Sequence, residues 1–281
     1  MTTTEMLGQM HDSEVNALLR QRLGWKPELP DMRDRPFNTK RALRKVRRNI
    51  PSHIDHRENA LFPPLPEQGN LGSCVPHGVG FGFKWQQRML GRPDMDPSRL
   101  FIYYEGRKME GSIGYDSGLF IRDGLKTVNQ LGAPHENLWP YTIGNFTDKP
   151  PQEAYNDGLK HQAIGYESVP VSSPDVKLAV AADHFVIMGF TVYTSFFDIG
   201  SNGFMRTPDP KKERVEGGHC MDFVGYKRMR APWESFYSDY GIMANWWDPT
   251  FGDNGFVYMK MSWSCNLTNA DDFWVITETE A

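Results

Sequence analysis

Cys74 is the residue of this chain whose surroundings most favour chemistry. It follows Gly-Ser in the stretch EQGNLGSCVPHG, residues 67–78, and it begins a segment, residues 74–90, whose apolar residues recur at helical spacing. A thiol at a helix N-terminus lies near unpaired N–H groups and the positive end of the helix dipole, which favour the thiolate. We therefore expect a nucleophile here, with a buried structural thiol as the alternative.

A nucleophilic thiol needs an oxyanion donor and a base. Gln68 lies shortly before Cys74 in a glycine-rich turn, so its side-chain amide could act together with the Cys74 backbone N–H. Of the eight histidines, His219 is the best-placed base, because two glycines precede it at the start of a hydrophobic strand. His77 is the local rival, but its ring would follow the side of the helix and not face the thiol.

Asn245, in the stretch ANWWDPTFGDNGF, could orient the imidazole base. A side-chain carbonyl on one ring nitrogen fixes the tautomer, and a neighbouring indole would shield that hydrogen bond from water. The alternative for this stretch is an aromatic core strand. A second cluster, His53, Asp55 and His56, is interpreted as a polar loop because no distant pair of ligands completes a metal site. We expect no metal and no other cofactor.

Two differently patterned halves of the chain must position these residues. Helices are predicted over residues 12–24, 74–90 and 118–131. The second half instead contains β-rich runs, at residues 184–193, 219–226, 241–247, 256–261 and 272–277. Helices followed by strands indicate an α+β protein of two lobes, and a cleft between the lobes is a natural place for a substrate.

Composition and charge narrow the classes of partner. The chain of 281 residues has 31 basic and 35 acidic residues, and the net charge of -4 does not indicate nucleic acid or an anionic membrane as a partner. The N-terminal residues lack a signal-peptide pattern, and no apolar run is long enough to span a membrane. Three widely spaced cysteines suit a reducing compartment. We therefore expect a cytoplasmic protein, and its oligomeric state is left open.

The first 50 residues are predicted to be an extension, followed by a compact domain over residues 51–281. Prolines in KPELPDMRDRPF, residues 26–37, favour extended or turning backbone. Residues 40–48 carry six basic side chains in nine positions. We interpret this basic run as a solvated helix face or an exposed linker in preference to a nucleic-acid patch.

Three ordered blocks, EQGNLGSC, GGHCMDFVGY and NWWDPTFGDNGF, resemble the active-site blocks of the papain family of cysteine peptidases. In addition, LGWKPELPDMRD resembles the N-terminal segment of the bacterial, xylellain-like members. The resemblance covers residues 24–277. It implies a papain-like two-lobe α+β fold, with a helical N-terminal lobe, a β-rich, barrel-like C-terminal lobe and the active site in the cleft between them.

The resemblance also implies roles for individual residues in thiol-dependent peptide-bond hydrolysis. Cys74 would be the nucleophile, His219 the base and then the acid, Asn245 the orienting residue and Gln68 the oxyanion donor. The residues expected to contact substrate or cover the site are Ser117, Gly118, Gly218 and Trp247. The partner would be a peptide or protein substrate.

Val75 and Pro76 depart from the family pattern directly after the nucleophile. Two alternatives therefore stand beside a peptidase: an amidase or transpeptidase with the same triad, and a peptidase-like binding or structural module. Residues 1–50 are expected to form a prosegment over or near the cleft, with the basic run as a site for processing or for docking a partner.

Overall fold

The structure is a computed structural model that describes residues 12–280, with side chains from residue 16 onward. Within this range the α-helices are α1 Asp12–Arg20, α2 Thr39–Lys45, α3 Cys74–Met89, α4 Arg99–Met109, α5 Ile121–Gln130, α6 Gln152–Gly158, α7 Ser173–Ala181 and α8 Met261–Ser264. The strands are β1 Ile54–Asp55, β2 Gly165–Ser168, β3 Val186–Tyr193, β4 Val215–Met229, β5 Ser238–Ala244, β6 Phe256–Lys260 and β7 Ala270–Glu278. None of the helices in this part of the chain has the length and apolarity needed to cross a bilayer.

The strands form one antiparallel sheet in the order β2-β7-β3-β4-β5-β6, with β1 paired to β4. We expected a barrel-like lobe, but among the described residues the two outer strands do not pair with each other and the sheet stays open. Both edges are covered by loops. Phe37 N donates to Ser168 O of β2 at 2.8 Å, and Tyr258 N of β6 donates to Gly203 O at 2.7 Å. Loops thus satisfy edge groups that closure would otherwise pair.

Two hydrophobic cores lie on opposite sides of the sheet, and they correspond to the two predicted lobes. One core joins helices α3, α4 and α5 to the sheet, where Trp85 stacks on Phe185 with ring centroids 4.4 Å apart. The other core contains Val176 of α7 and Phe273 of β7. The α+β, two-lobe prediction is confirmed by this arrangement.

Helix α3 passes close to strand β4. A Cβ atom on Gly78 would lie 2.8 Å from Asp222 Oδ1 and 3.1 Å from Cys220 Sγ, so the absence of a side chain allows this approach. The helix predicted over residues 74–90 and all five predicted strand runs are confirmed within a few residues. Helix α1 ends at Arg20 instead of residue 24, because the following residues leave the helix and enter the cleft.

Candidate active site

Cys74 is the first residue of α3, directly after the N-cap residue Ser73, and it is fully buried. Burial raises the pKa of the Cys74 thiol to about 12, although nearby backbone N–H groups, including those of Cys220 and Gly24, act to lower it. Burial therefore favours the neutral thiol over the expected thiolate. The helix terminus is in place, but desolvation outweighs its effect on the thiol.

His219 of β4 and Asn245, which directly follows β5, form a buried pair. His219 Nε2 lies 2.8 Å from Asn245 Oδ1, and an amide oxygen can only accept, so Nε2 carries the proton. The other ring nitrogen, Nδ1, is buried and has no hydrogen-bond partner among the described residues. Burial lowers the pKa of His219 to about 4, although the bond to Asn245 acts to raise it. The pair thus presents a neutral imidazole with a free lone pair.

Aromatic rings enclose this pair. Trp247 is 2% exposed, and its ring centroid lies 4.9 Å from that of His219. Phe190 and Phe196 approach the same imidazole, with centroids at 5.7 and 6.1 Å. These rings exclude water from the bond between His219 and Asn245, and a hydrogen bond is stronger in such a low dielectric.

Gln68 is fully buried, and its side-chain amide is held by two backbone carbonyls. Its Nε2 donates to Arg22 O at 2.7 Å and to Leu71 O at 2.6 Å. The Tyr141 hydroxyl donates to Gln68 O at 2.8 Å, which fixes the backbone of the same residue. The side-chain amide expected to donate to an oxyanion is therefore held in place, and Arg22 O already accepts from it.

Residues 22–25, called the cleft segment below, pass between the two lobes over Cys74. Gly24 O accepts from Leu119 N at 2.7 Å, and Trp25 N donates to Gly218 O at 3.1 Å. Gly24 lies so close to the turn before α3 that a Cβ atom on it would be 1.8 Å from Gly72 O. Backbone bonds to both walls of the cleft thus hold the segment across the thiol.

Two side chains anchor the cleft segment. Arg22 is 2% exposed, and its Nη1 donates to Trp247 O at 3.0 Å. Trp25 donates from Nε1 to Asp272 Oδ2 at 3.0 Å, and a Cβ atom on Gly189 would lie 1.9 Å from its ring. Neither anchor was predicted from the sequence. Their only signal was an arginine and a tryptophan on either side of Leu-Gly.

Of the residues expected to contact substrate, two line the cleft and one turns its side chain away from it. The backbones of Gly118 and Gly218 line the cleft, since a Cβ atom on either would lie within 2.4 Å of a carbonyl oxygen of the cleft segment. Ser117 instead turns its hydroxyl inward, 2.8 Å from Ser112 Oγ. Ser117 can therefore offer only its backbone.

The residues that depart from the family pattern, Val75 and Pro76, are buried in the first turn of α3. Proline is tolerated in that turn because its missing N–H has no helical acceptor. Val75 packs toward α5, where a Cβ atom on Gly124 would lie 3.3 Å from Val75 Cγ1. The departure therefore leaves the start of the helix intact.

His77 has a structural role. Its Nδ1 lies 2.8 Å from Ser73 O and its Nε2 lies 3.2 Å from Glu67 O. Burial lowers the pKa of His77 to about 3, so the ring is neutral and can donate to only one of these carbonyls; the shorter contact identifies Ser73. His77 therefore binds the N-cap residue of its own helix and is not placed to act as the base for the thiol.

The cluster of His53, Asp55 and His56 is divided: His53 precedes strand β1, Asp55 ends that strand, and His56 begins the turn after it. Asp55 binds Arg57 at 2.6 Å, and His56 is buried with Nε2 2.9 Å from Val180 O. His53 is exposed. The prediction of a polar loop was therefore wrong for His56, which is part of the packing beneath the sheet.

Comparisons with known proteins agree with this geometry. A model of the papain family of cysteine proteases matches residues 107–273, which include His219 and Asn245. An uncharacterized peptidase C1-like protein of Acanthamoeba polyphaga mimivirus is 30% identical over 223 residues, 75% of this chain and 69% of that protein. The chain therefore belongs to the papain family of cysteine proteases, which are hydrolases.

Solved structures place the chain within this family. Xylellain, a cysteine protease from Xylella fastidiosa, is 30% identical and superimposes with a TM-score of 0.79, covering 91% of this chain and 95% of that one. The proCathepsin B S9 of Trypanosoma congolense, at 17% identity, shares the fold with a TM-score of 0.73 over 95% of this chain and 89% of that one. The resemblance to the xylellain-like branch is confirmed.

Proposed function

We propose that this protein hydrolyses peptide bonds through Cys74, His219, Asn245 and Gln68, and that its N-terminal extension holds it in an inactive form. The observation that carries the proposal is the cleft itself. A buried His219 with a free Nδ1 is oriented by Asn245 at 2.8 Å, and the segment that fills the cleft lies on Cys74 and Gln68.

Each of these residues then has a defined role in the reaction. The Cys74 thiol passes its proton to His219 Nδ1, and Sγ bonds to the carbonyl carbon of the substrate. Gln68 Nε2 and the Cys74 backbone N–H donate to the resulting oxyanion. His219 returns the proton to the leaving amine as the C–N bond breaks, which leaves a thioester. Water then attacks the thioester, its proton goes to His219, and the acid product leaves as the thiol re-forms.

The cleft segment opposes this chemistry in two ways. Arg22 O occupies the amide donor of Gln68, so no substrate oxyanion can bind there. In addition, the segment buries the thiol and the imidazole, which raises the pKa of Cys74 and lowers that of His219. Both shifts keep the proton on sulfur. Displacement of the segment would readmit water and allow the proton to move to nitrogen.

The rest of the extension is attached outside the cleft. Phe37 N bonds to Ser168 O of β2, and Lys45 at the end of α2 donates to Ala182 O at 2.7 Å. These contacts support assigning residues 1–50 as a prosegment and residues 51–281 as the peptidase domain. The exposed Arg47 and Arg48, which end the basic run, are the proposed processing site.

Labelling with an epoxysuccinyl thiol-protease probe tests the catalytic assignment. The reduced full-length protein is incubated with the probe before and after limited proteolysis at the basic run, and the adduct is mapped by mass spectrometry. We expect one adduct, on Cys74, which increases after cleavage and is absent from Cys74→Ala. No Cys74 adduct in the folded, cleaved protein would refute the proposal. Product masses in the presence of an added amine separate hydrolysis from transpeptidation.

A further inference from the structure

A second group of chemically active side chains lies in the helical lobe, away from the cleft. His135, Asp157 and His161 each offer a ligand atom, and these atoms all lie within 4.8 Å of one another. Asp157 is in the last turn of α6, and His161 follows the end of that helix one turn later. His135 comes from a separate loop, directly before the turn Glu136–Leu138. The grouping therefore joins two parts of the chain.

The backbone fixes this grouping independently of the side chains. Ala133 N donates to His161 O at 3.1 Å, and His161 N donates to Gly158 O at 2.8 Å. Asp157 Oδ2 accepts from the backbone N of His135 at 2.9 Å. The loop of His135 and the end of α6 are thus already joined, so a ligand would not have to order them.

A ring nitrogen of each histidine lies near the Asp157 carboxylate. His135 Nδ1 lies 2.8 Å from Asp157 Oδ2, and His161 Nε2 lies 3.8 Å from Asp157 Oδ1. The two imidazole rings are nearly perpendicular, with centroids 4.8 Å apart. A tetrahedral ion with bonds of about 2.0 to 2.2 Å holds its ligand atoms about 3.3 Å apart. Side-chain rotations that move the donor atoms by roughly 1 Å would therefore suffice to bring all three onto one ion.

We propose that His135, Asp157 and His161 form a binding site for a divalent transition-metal ion, zinc in the first instance. Two imidazoles and one carboxylate are a ligand set suited to zinc, and all three residues are partly exposed, which leaves a coordination position for water.

The ion would strengthen the helical lobe and not take part in hydrolysis. It would tie α6 to the loop that continues into Glu136, whose carboxylate accepts from Tyr141 N at 2.7 Å. Tyr141 in turn bonds to Gln68 O. Because an ion that binds only the folded form stabilises it, zinc should raise the melting temperature of the whole protein.

The test uses the full-length Cys74→Ala variant, so that zinc cannot bind the catalytic thiol. Zinc chloride is titrated by calorimetry, cobalt chloride is titrated by visible absorbance, and melting is followed with and without zinc. His161→Gln is the main variant, because its ring makes only the long contact to Asp157 and an edge contact with the His135 ring, so its loss should leave the fold intact. His53→Gln, at an exposed histidine, is the matched control.

We expect one zinc per chain and a visible cobalt spectrum typical of low coordination number. Affinity should fall by about tenfold or more in His161→Gln and be unchanged in His53→Gln. The rise in melting temperature with zinc should disappear in the same variant. Equal zinc affinity in Cys74→Ala with and without His161→Gln, or no binding to either, would overturn the proposal. Neither result bears on the hydrolytic site, which labelling of Cys74 tests separately.

Discussion

Gly24→Ala is expected to activate the protein without touching the catalytic residues. The backbone of Gly24 lies between Gly72 and Gly118, and an added Cβ atom would be 1.8 Å from Gly72 O. Nonbonded carbon and oxygen atoms do not approach so closely, and the obstacle is backbone that cannot rotate away. The methyl group therefore forces the cleft segment to withdraw from the turn that precedes Cys74.

The size of the effect follows from the cost of overpacking. Inserting a methyl group into a well-packed site destabilises it by about 1 to 3 kcal/mol. If this cost falls on the docked form of the segment alone, the population with an open cleft rises by about 5- to 150-fold, because about 1.4 kcal/mol corresponds to a factor of ten. Initial rates at limiting substrate should rise by the same factor until most molecules are open.

A fluorogenic peptide substrate and an irreversible thiol probe measure this change. We expect a higher kcat/KM and faster labelling of Cys74 in Gly24→Ala than in the parent, with an unchanged unfolding midpoint for the peptidase domain. Gly114→Ala is the matched control, since no atom lies within 4 Å of its added Cβ. An unchanged or lower rate in a folded Gly24→Ala protein would refute the idea that the segment blocks the cleft.

Two further predictions concern buried polar groups. Burial raises the pKa of Asp222 well above its usual value, and neither carboxylate oxygen has a partner among the described residues. The folded form therefore loses stability as pH rises above the ordinary pKa near 3.8, by about 1.4 kcal/mol per pH unit up to the raised pKa. In urea unfolding, the free energy of unfolding of Asp222→Asn should exceed that of the parent by an amount that grows with pH. A difference that stays constant with pH would contradict this. Gln68→Ala in the cleaved protein should lower kcat by about 100-fold or more with little change in KM. A rise in KM of the same size with an unchanged kcat would instead assign Gln68 to ground-state binding.

The sequence predicts the polar set because its signals are local. Cys74 begins a recognisable helical pattern, Gln68 stands in a glycine-rich turn just before it, and His219 starts a hydrophobic strand. Each was assigned from residue type and neighbours, and the structure brings His219 and Asn245 together at 2.8 Å. The strands could also be predicted from the sequence, because they are continuous apolar stretches.

The cleft segment could not be predicted in detail for a physical reason. Besides its two side-chain anchors, its contacts with the cleft are made by backbone atoms, namely Arg22 O, Gly24 O and Trp25 N, and backbone groups carry no residue-type signal. Helix α4 was missed for a different reason. Nearly all of its residues are buried, so it shows no polar face against which an apolar stripe would stand out.

The relative size of two opposing effects explains why access and reactivity are linked in this cleft. A helix N-terminus stabilises a nearby negative charge by about 0.3 to 2 kcal/mol. Burial raises the pKa of Cys74 from 9.0 to about 12, which corresponds to about 4 kcal/mol against the thiolate. The position of Cys74 on α3 is therefore not sufficient to produce a thiolate while the thiol is this deeply buried. If the cleft segment is displaced as proposed, one movement would admit both substrate and water, and the thiol could then pass its proton to His219.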